Sequence, residues 1–284
     1  MTRPTFLFIG PDKVGSKWLH EILMHHPDCY VPAIADPYFF DRHYDRGLEW
    51  YWSLFRGAPE SAKAIGELSH DYLFSTAAAD RIRRDLPGVQ LLVCLRDPAD
   101  RAFSQYLSMV RAGKTRDSFE DALRQIPALL ENSRYGTHLE RYLSRFPRDQ
   151  VHTLFYDQLV EDPRSFAAAA FAAIGVPFVD GLPYEVRVNP AGRPRSYYLV
   201  RAMQMVASLV RRVGLPQLVG VAKRSFLRSI VYTAYEANDR PAIPPGARRE
   251  ILDRLEPELS RVEKLLAVDL GPWRRGESLR HSGA

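Results

Sequence analysis

The stretch Gly10-Pro11-Asp12-Lys13-Val14-Gly15-Ser16-Lys17-Trp18-Leu19 places two glycines, two lysines and a hydroxyl directly behind a short apolar run, Thr5–Ile9. A glycine-bearing turn between a strand and a helix aims its backbone N–H groups at one point, and the helix dipole adds positive potential there. That is an anion cradle, with Lys13, Val14, Gly15, Ser16, Lys17 and Trp18 as the residues that would line it. The plainer alternative is an ordinary turn with an exposed lysine. The spacing approaches the Walker A loop without meeting it. That loop needs Gly-Lys-Ser/Thr, so that the lysine reaches the β and γ phosphates and the hydroxyl holds Mg²⁺. Here the order is Gly15-Ser16-Lys17 and the other lysine precedes Gly15. The pattern disfavours an ATP–Mg machine and suits a nucleotide whose single 5′-phosphate carries a group to be transferred.

A second chemical element follows the apolar run Gln90–Leu95. It reads Arg96-Asp97-Pro98, then a helical pattern carrying Arg101, Ser104 and Tyr106. In open parallel sheets, ligands bind beyond the carboxyl ends of the strands. Arg96 and Ser104 are placed to meet on a further anion there, and arginine's forked donors suit a phosphate monoester. The competing use of Arg96 is an ion pair with Asp97 or Asp100.

Taken together, the two elements resemble the sulfotransferases that use 3′-phosphoadenosine 5′-phosphosulfate (PAPS). The 5′-phosphosulfate loop of that family, Pro-x-Lys-x-Gly-Ser/Thr-Thr-x-Leu, is matched by Pro11, Lys13, Gly15, Ser16 and Leu19. Its 3′-phosphate element, Leu-Arg-Asp-Pro-x-x-Arg-Ala-x-Ser-x-Tyr, is matched by Leu95, Arg96, Asp97, Pro98, Arg101, Ala102, Ser104 and Tyr106. The likeness covers roughly residues 4–200 and continues more weakly to Trp273. Asp36-Pro37-Tyr38-Phe39-Phe40-Asp41 is similar to the Glu-x-x-Phe-Phe segment of heparan-type members, and Phe155-Tyr156-x-x-Leu159-x-x-Asp162-Pro163 to another family segment. Asn189-x-x-Gly192-Arg193-Pro194-Arg195 is similar to a late basic loop that closes over the cofactor.

The resemblance implies in-line transfer of a sulfuryl group from PAPS to a hydroxyl or amine of a carbohydrate or small metabolite, leaving 3′,5′-ADP and requiring no metal. Lys13 would neutralise charge on the bridging oxygen, Arg96 and Ser104 would hold the 3′-phosphate, and Arg193 and Arg195 would add charge from the late loop. Asp36 stands where heparan-type members carry a glutamate base. His70, Glu67 and His43 are rival bases, and histidine needs less tuning for that work near neutral pH. Two departures stand out: Lys17 replaces a small hydroxyl residue, and aspartate replaces glutamate at 36. The aromatic residues Tyr38, Phe39, Phe40, Tyr44, Trp50 and Tyr51 suit either an acceptor cleft or a core. Two other readings compete with this one. A P-loop kinase or NTPase would need the Walker order, whereas a non-catalytic nucleotide- or glycan-binding module would need Arg96 and Ser104 but no base.

The elements that must position these residues are legible from periodicity. Thr5–Ile9, the region near Ala64–Glu67, Gln90–Leu95 and Val151–Phe155 read as buried strands. Trp18–His25, Ala77–Asp85, Ala99–Ala112, Tyr135–Phe146 and Ser165–Ile174 read as helices between them. Such alternation predicts an α/β fold, a three-layer sandwich around a mostly parallel sheet. The 284 residues are expected to form a single domain, with its core at about 4–200 and a helical C-terminal portion at about 200–284. Val200–Ser229 carries six Lys/Arg side chains and no acid. It reads as a solvated helical face, a lid over an anionic substrate or a membrane-surface patch. Pro241–Pro245 then leads into a last helix, Ala247–Ala267.

A net charge of +5 on a chain 46% apolar fits an anionic small ligand better than nucleic acid, which needs a concentrated basic face. Cys29 and Cys94 are too far apart for metal-ligand spacing and read as reduced, partly buried thiols. The chain shows neither a secretory leader nor a run of membrane-spanning length, so a cytoplasmic protein without membrane insertion is expected. The sequence leaves a homodimer open.

Overall fold

The computed structural model describes residues 2–34, 36–186 and 241–279, together with the backbone of 192–194 and 232–234. Five strands form one sheet: β1 (Phe6–Gly10), β2 (Cys29–Tyr30), β3 (Ala64–Leu68), β4 (Gln90–Leu95) and β5 (Val151–Phe155). Their order is β2-β3-β1-β4-β5 and every pairing is parallel, with Leu7 opposite Glu67 on one side of β1 and opposite Leu91 on the other. β1 therefore lies at the centre, and the loop leaving its carboxyl end falls between those leaving β3 and β4. Four strands lie where periodicity puts them. β2 is two residues long, too short to leave a periodic trace.

The helices are α1 (Ser16–His25), α2 (Phe39–Arg42), α3 (Gly47–Ser53), α4 (Thr76–Asp85), α5 (Pro98–Arg111), α6 (Phe119–Gln125), α7 (Ala128–Glu131), α8 (Tyr135–Leu143), α9 (Tyr156–Glu161), α10 (Pro163–Ala173), α11 (Pro245–Leu266) and α12 (Gly271–Arg275). Alternation along the strands divides the apolar side chains between two faces. Phe6, Phe8, Leu92 and Cys94 pack against Trp18, Leu19, Ile22 and Leu23 of α1 and Phe166, Ala170 and Phe171 of α10. Leu7, Ile9, Leu91 and Val93 pack on the other face against α2, α3, α4, α8 and the C-terminal helices, through Phe39, Tyr51, Ile82, Tyr142, Leu259 and Trp273. These are the three layers the sequence predicts. A further cluster, including Ala102, Phe103, Phe119, Leu129 and Ile251, seats α5 between α6, α7 and α11.

Phe39, Phe40 and Tyr51 are 0% exposed, with Phe39 stacked on Tyr51 at 4.4 Å. These three belong to the core and line no cleft, while Tyr44 and Trp50 pack against the same cluster from its edge. Cys29 and Cys94 are both buried free thiols. Among the described residues, no helix is long and apolar enough to cross a membrane. β6 (Gly192–Pro194) pairs antiparallel with β7 (Tyr232–Ala234), which puts Arg193 opposite Thr233. Arg195 and the basic stretch Val200–Ser229 lie outside the described residues.

Candidate functional site

β1 enters the anion loop through Gly10, whose φ is 126° and where an added Cβ would lie 2.1 Å from the His70 carbonyl oxygen. Only glycine fits so close to another backbone. The loop then passes Lys13, itself at φ 68°, and ends at Gly15, the N-cap of α1 at φ 86°. A Cβ on Gly15 would meet Leu159 at 2.4 Å. Because glycine caps α1 with no side chain, the first-turn N–H groups receive no side-chain cap, and α1 has no acid in its first turn. An uncapped N-terminus of this kind presents donors and positive potential to an anion.

Residues of β4 and α5 clamp the loop. Arg96 Nη1 donates to the Lys13 carbonyl at 2.9 Å, and Cys94 Sγ to the Val14 carbonyl at 3.4 Å. Arg101 is 0% exposed and donates to Asp12 Oδ1 at 2.9 Å, to Ser133 Oγ at 2.6 Å and to the Leu129 carbonyl at 2.7 Å. The resemblance marks Arg101 as a matched position, and here it acts as the tether of the loop. The side chains of Val14 and Trp18 are both buried, and Trp18 Nε1 donates to the Tyr184 carbonyl at 3.0 Å. Any contact these two make with a ligand is therefore through their backbone. Ser16 is half-buried and Lys17 exposed at the start of α1.

Burial lowers the Lys13 ammonium to a pKa of about 8; Asp12 opposes the shift, and Arg111, Lys17 and Arg96 reinforce it. Arg111, Lys17 and Arg96 thus act on Lys13 as like charges, while Asp12, the carboxylate that opposes them, is itself paired with Arg101. Arg111, at the far end of α5, carries no signal in the sequence patterns. Its relation to Lys13 arises only once α5 is laid across the loop.

Arg96 makes no ion pair with Asp97 or Asp100. Asp97 instead caps α5, accepting from the Ala99 and Asp100 N–H groups at 2.9 and 3.0 Å, and pairs with Arg248 of α11. The Arg96 guanidinium sits 4.4 Å from the centre of the Tyr156 ring, and its buried Nε has no hydrogen-bond partner among the described residues. It opens on a cavity of about 220 Å³ shared with Asp100, Phe103 and Pro241–Ile243. Ser104 is half-buried on α5, one turn after Arg101. Tyr156 follows the carboxyl end of β5, where ligand sites of such sheets gather; that rule could have singled it out.

The candidate bases lie on the β3 side. His70 follows β3, and its Nδ1 is 2.8 Å from Asp36 Oδ1, while Nε2 is 2.8 Å from Tyr38 Oη. Asp36 and Tyr38 are both non-glycine residues at positive φ, 57° and 50°. The Leu68 carbonyl accepts from the Asp36 N–H at 3.2 Å, and Ser69 Oγ accepts from the Tyr38 N–H at 3.1 Å, which holds the turn in place. Strain of this kind concentrates at functional sites.

Glu67 is excluded from direct contact with an acceptor. It is 1% exposed and accepts hydrogen bonds from Ser69 Oγ at 2.7 Å, Tyr72 Oη at 2.7 Å and Tyr51 Oη at 3.2 Å. Burial pushes its carboxyl up to about 7 against the pull of those three hydroxyls. His43 caps α2 and lies edge-on to Trp50 at 6.5 Å, joined by no hydrogen bond to Asp36 or His70 among the described residues. The structure thus brings together Asp36 and His70, with Tyr38 as a third member that the sequence reading placed only among the aromatic residues.

The profile of the sulfotransferase domain family matches residues 3–185. The human heparan sulfate glucosamine 3-O-sulfotransferase 3B1 is 32% identical over 169 residues, which is 56% of this chain and 43% of the relative. The mouse heparan sulfate glucosamine 3-O-sulfotransferase 6 is 29% identical over 211 residues, covering 68% of this chain and 61% of its own length. The chain thus spans about half the length of the curated relatives it matches. A crystal structure of a sulfotransferase from Alicyclobacillus acidocaldarius superposes with a TM-score of 0.72 at 23% identity, over 97% of this chain and 100% of that one. At that identity the likeness concerns the fold.

Proposed function

Since the chain belongs to the sulfotransferase domain family, we propose that it transfers a sulfuryl group from PAPS to a hydroxyl of a carbohydrate or small-molecule acceptor. The observation that carries this reading is the pairing of two anion sites across the end of one sheet. One is the uncapped α1 N-terminus with Lys13; the other is Arg96, which grips the Lys13 carbonyl, stacks on Tyr156 and has an Nε with no partner among the described residues. PAPS and 3′,5′-ADP carry two anionic groups on one nucleoside, and the residues present fit them. Lys13 with the first turn of α1 would hold the 5′ group, and Arg96 with Ser104 the 3′-phosphate. PAPS supplies the activated sulfuryl group.

The protein supplies charge and position. Lys13 neutralises the charge that grows on the departing 5′-phosphate, and the α1 donors fix its oxygens. The Asp36–His70 pair receives the acceptor's proton: Asp36 fixes His70 with Nδ1 protonated, leaving the Nε2 lone pair to act as base. Arg193 and Arg195 would add cationic charge from the later loop.

Heparan sulfate is the first acceptor to test because the relatives' names point to it. Incubation of the protein with ³⁵S-labelled PAPS and heparan sulfate, and in parallel with metabolite extracts, should give labelled product together with 3′,5′-ADP. Wild-type protein that binds neither PAPS nor 3′,5′-ADP and labels no acceptor would refute the reading.

A further inference from the structure

We infer that the Tyr38 phenol is a catalytic group, touching the acceptor hydroxyl and passing its proton to His70 Nε2. The inference rests on the sulfuryl-transfer reading above and adds a residue to it. Three observations converge on Tyr38. Its Oη lies 2.8 Å from His70 Nε2 and 3.3 Å from Nδ1, while Nδ1 is committed to Asp36 at 2.8 Å. A carboxylate only accepts, so the closer carboxylate, Asp36, takes the Nδ1 proton and leaves Nε2 to accept from Tyr38 Oη, with Asp71 Oδ1 more distant from Nε2 at 3.5 Å. Second, the Asp36-Pro37-Tyr38 turn holds two non-glycine residues at positive φ, and the side chains of both reach one imidazole. A strained turn that aims two side chains at one ring has been set for that ring. Third, Gly10 of the anion loop packs against the His70 backbone, and Asp12 of the same loop acts electrostatically on the phenol. The chain Asp36–His70–Tyr38 therefore borders the loop proposed to hold the group being transferred.

The phenol is faced by Asp36, Arg42, Asp41, Asp12 and His70, with the Arg42 guanidinium 4.0 Å over its ring. Burial, and after it the charge of Asp36, drives its ionisation well above the usual phenol range. A phenol held neutral in this way cannot wait as a phenolate. It must release its own proton as it takes another. In the transfer, the acceptor O–S bond forms and the bridging S–O bond of PAPS breaks, its electron pair going to the 5′-phosphate of 3′,5′-ADP. The acceptor's proton moves to Tyr38 Oη as the Tyr38 proton moves to Nε2, and the imidazolium is held by Asp36. His70 and Asp36 are 23% and 28% exposed, which leaves a route for that proton to return to solvent.

Two measurements on the full chain test this. In cofactor-free protein, ¹⁵N shifts of the His70 ring should show Nδ1 protonated and Nε2 as acceptor, with the Nε2 signal moving in Tyr38→Phe. A ring protonated at Nε2 would place the hydrogen bond the wrong way round and overturn the inference. With ³⁵S-labelled PAPS and heparan sulfate, or with water as acceptor where sulfate release is followed, Tyr38→Phe should lower kcat by about 100-fold. The Kd for 3′,5′-ADP should stay within about twofold of wild type, since the change falls on the chemical step. A Tyr38→Phe enzyme with wild-type kcat, or with only a raised acceptor KM, would show that Nε2 meets the acceptor directly and that the phenol is a wall. Failure of the sulfuryl-transfer reading would look different, because wild-type protein would then neither transfer label nor bind 3′,5′-ADP.

Discussion

Lys13 is a cation set among cations, and its cost to the free protein is the counterpart of its use. Burial and the nearby Arg111, Lys17 and Arg96 bring its pKa down to about 8. Replacing it with alanine should reduce sulfuryl transfer by about 100- to 1000-fold, the range for removing a group that stabilises developing charge. The same change should leave thermal stability equal or higher, because it removes a half-buried charge and eases repulsion. A bound anion restores the lysine's pKa, so binding above pH 8 takes up a proton. Affinity for 3′,5′-ADP should then be flat below that pH and weaken by up to about tenfold per unit above it, a trend that titration calorimetry across pH would follow. In the Lys13→Ala protein that limb should vanish. At this scale the sequence revealed the types but not the pairings. Lys13, Gly15 and Arg96 were legible because their roles depend on spacing within one strand-to-helix junction. The union of Asp36, His70 and Tyr38 was not, since it joins two loops more than thirty residues apart through a strained turn.

Two elements beside the site are each anchored by a buried polar group. Arg101 ties α5 to Asp12 of the anion loop and to α7, and it is wholly buried. Arg101→Ala should destabilise the protein by about 3–5 kcal/mol in denaturant unfolding, and Arg101→Lys should recover little of it, because an ammonium cannot supply the fork. Glu67 plays the corresponding part within β3, where three hydroxyls converge on it. Its folded pKa of about 7 lies above the ordinary 4.5, so the folded state holds the extra proton between those values. Its contribution is complete below pH 4.5 and is lost as pH rises through 7. Glu67→Gln should therefore flatten the Tm-versus-pH curve over that interval while leaving cofactor affinity unchanged. A Gln variant with the wild-type slope would assign the slope to another group. The long periodic elements were readable: β4 and β5 span the residues their apolar runs suggested, and α5 differs by one residue at each end. Short ones were not. α2, α3 and the two-residue β2 owe their form to aromatic packing and sheet pairing, which leave no repeat in the sequence.

The C-terminal helices join the folded whole to the part of the site that bears Arg96. Arg248 of α11 pairs with Asp97, directly after Arg96, and donates to the Trp273 carbonyl at 2.9 Å. Trp273 is wholly buried and donates to Asp157 Oδ2 at 3.2 Å, beside the Tyr156 ring that carries Arg96. Trp273→Ala should cost about 3–5 kcal/mol of stability. It should also weaken 3′,5′-ADP binding more than it raises acceptor KM, as paired calorimetry and steady-state kinetics would show. Three layers, parallel strands and the long helix α11 were all legible from alternation and length, but α11 is not the last helix: the five-residue α12 follows it, too short to leave a periodic trace. The dependence of Arg96 on residues far downstream was not, because it arises from packing between distant segments. The central claim is that one sheet end holds two anionic groups of a single nucleoside, and the most direct test is competition at equilibrium. Titration calorimetry without metal should show 3′,5′-ADP binding more tightly than either ATP with Mg²⁺ or 5′-ADP, with Arg96→Ala removing most of that preference. Tighter binding of ATP with Mg²⁺ than of 3′,5′-ADP would contradict the account.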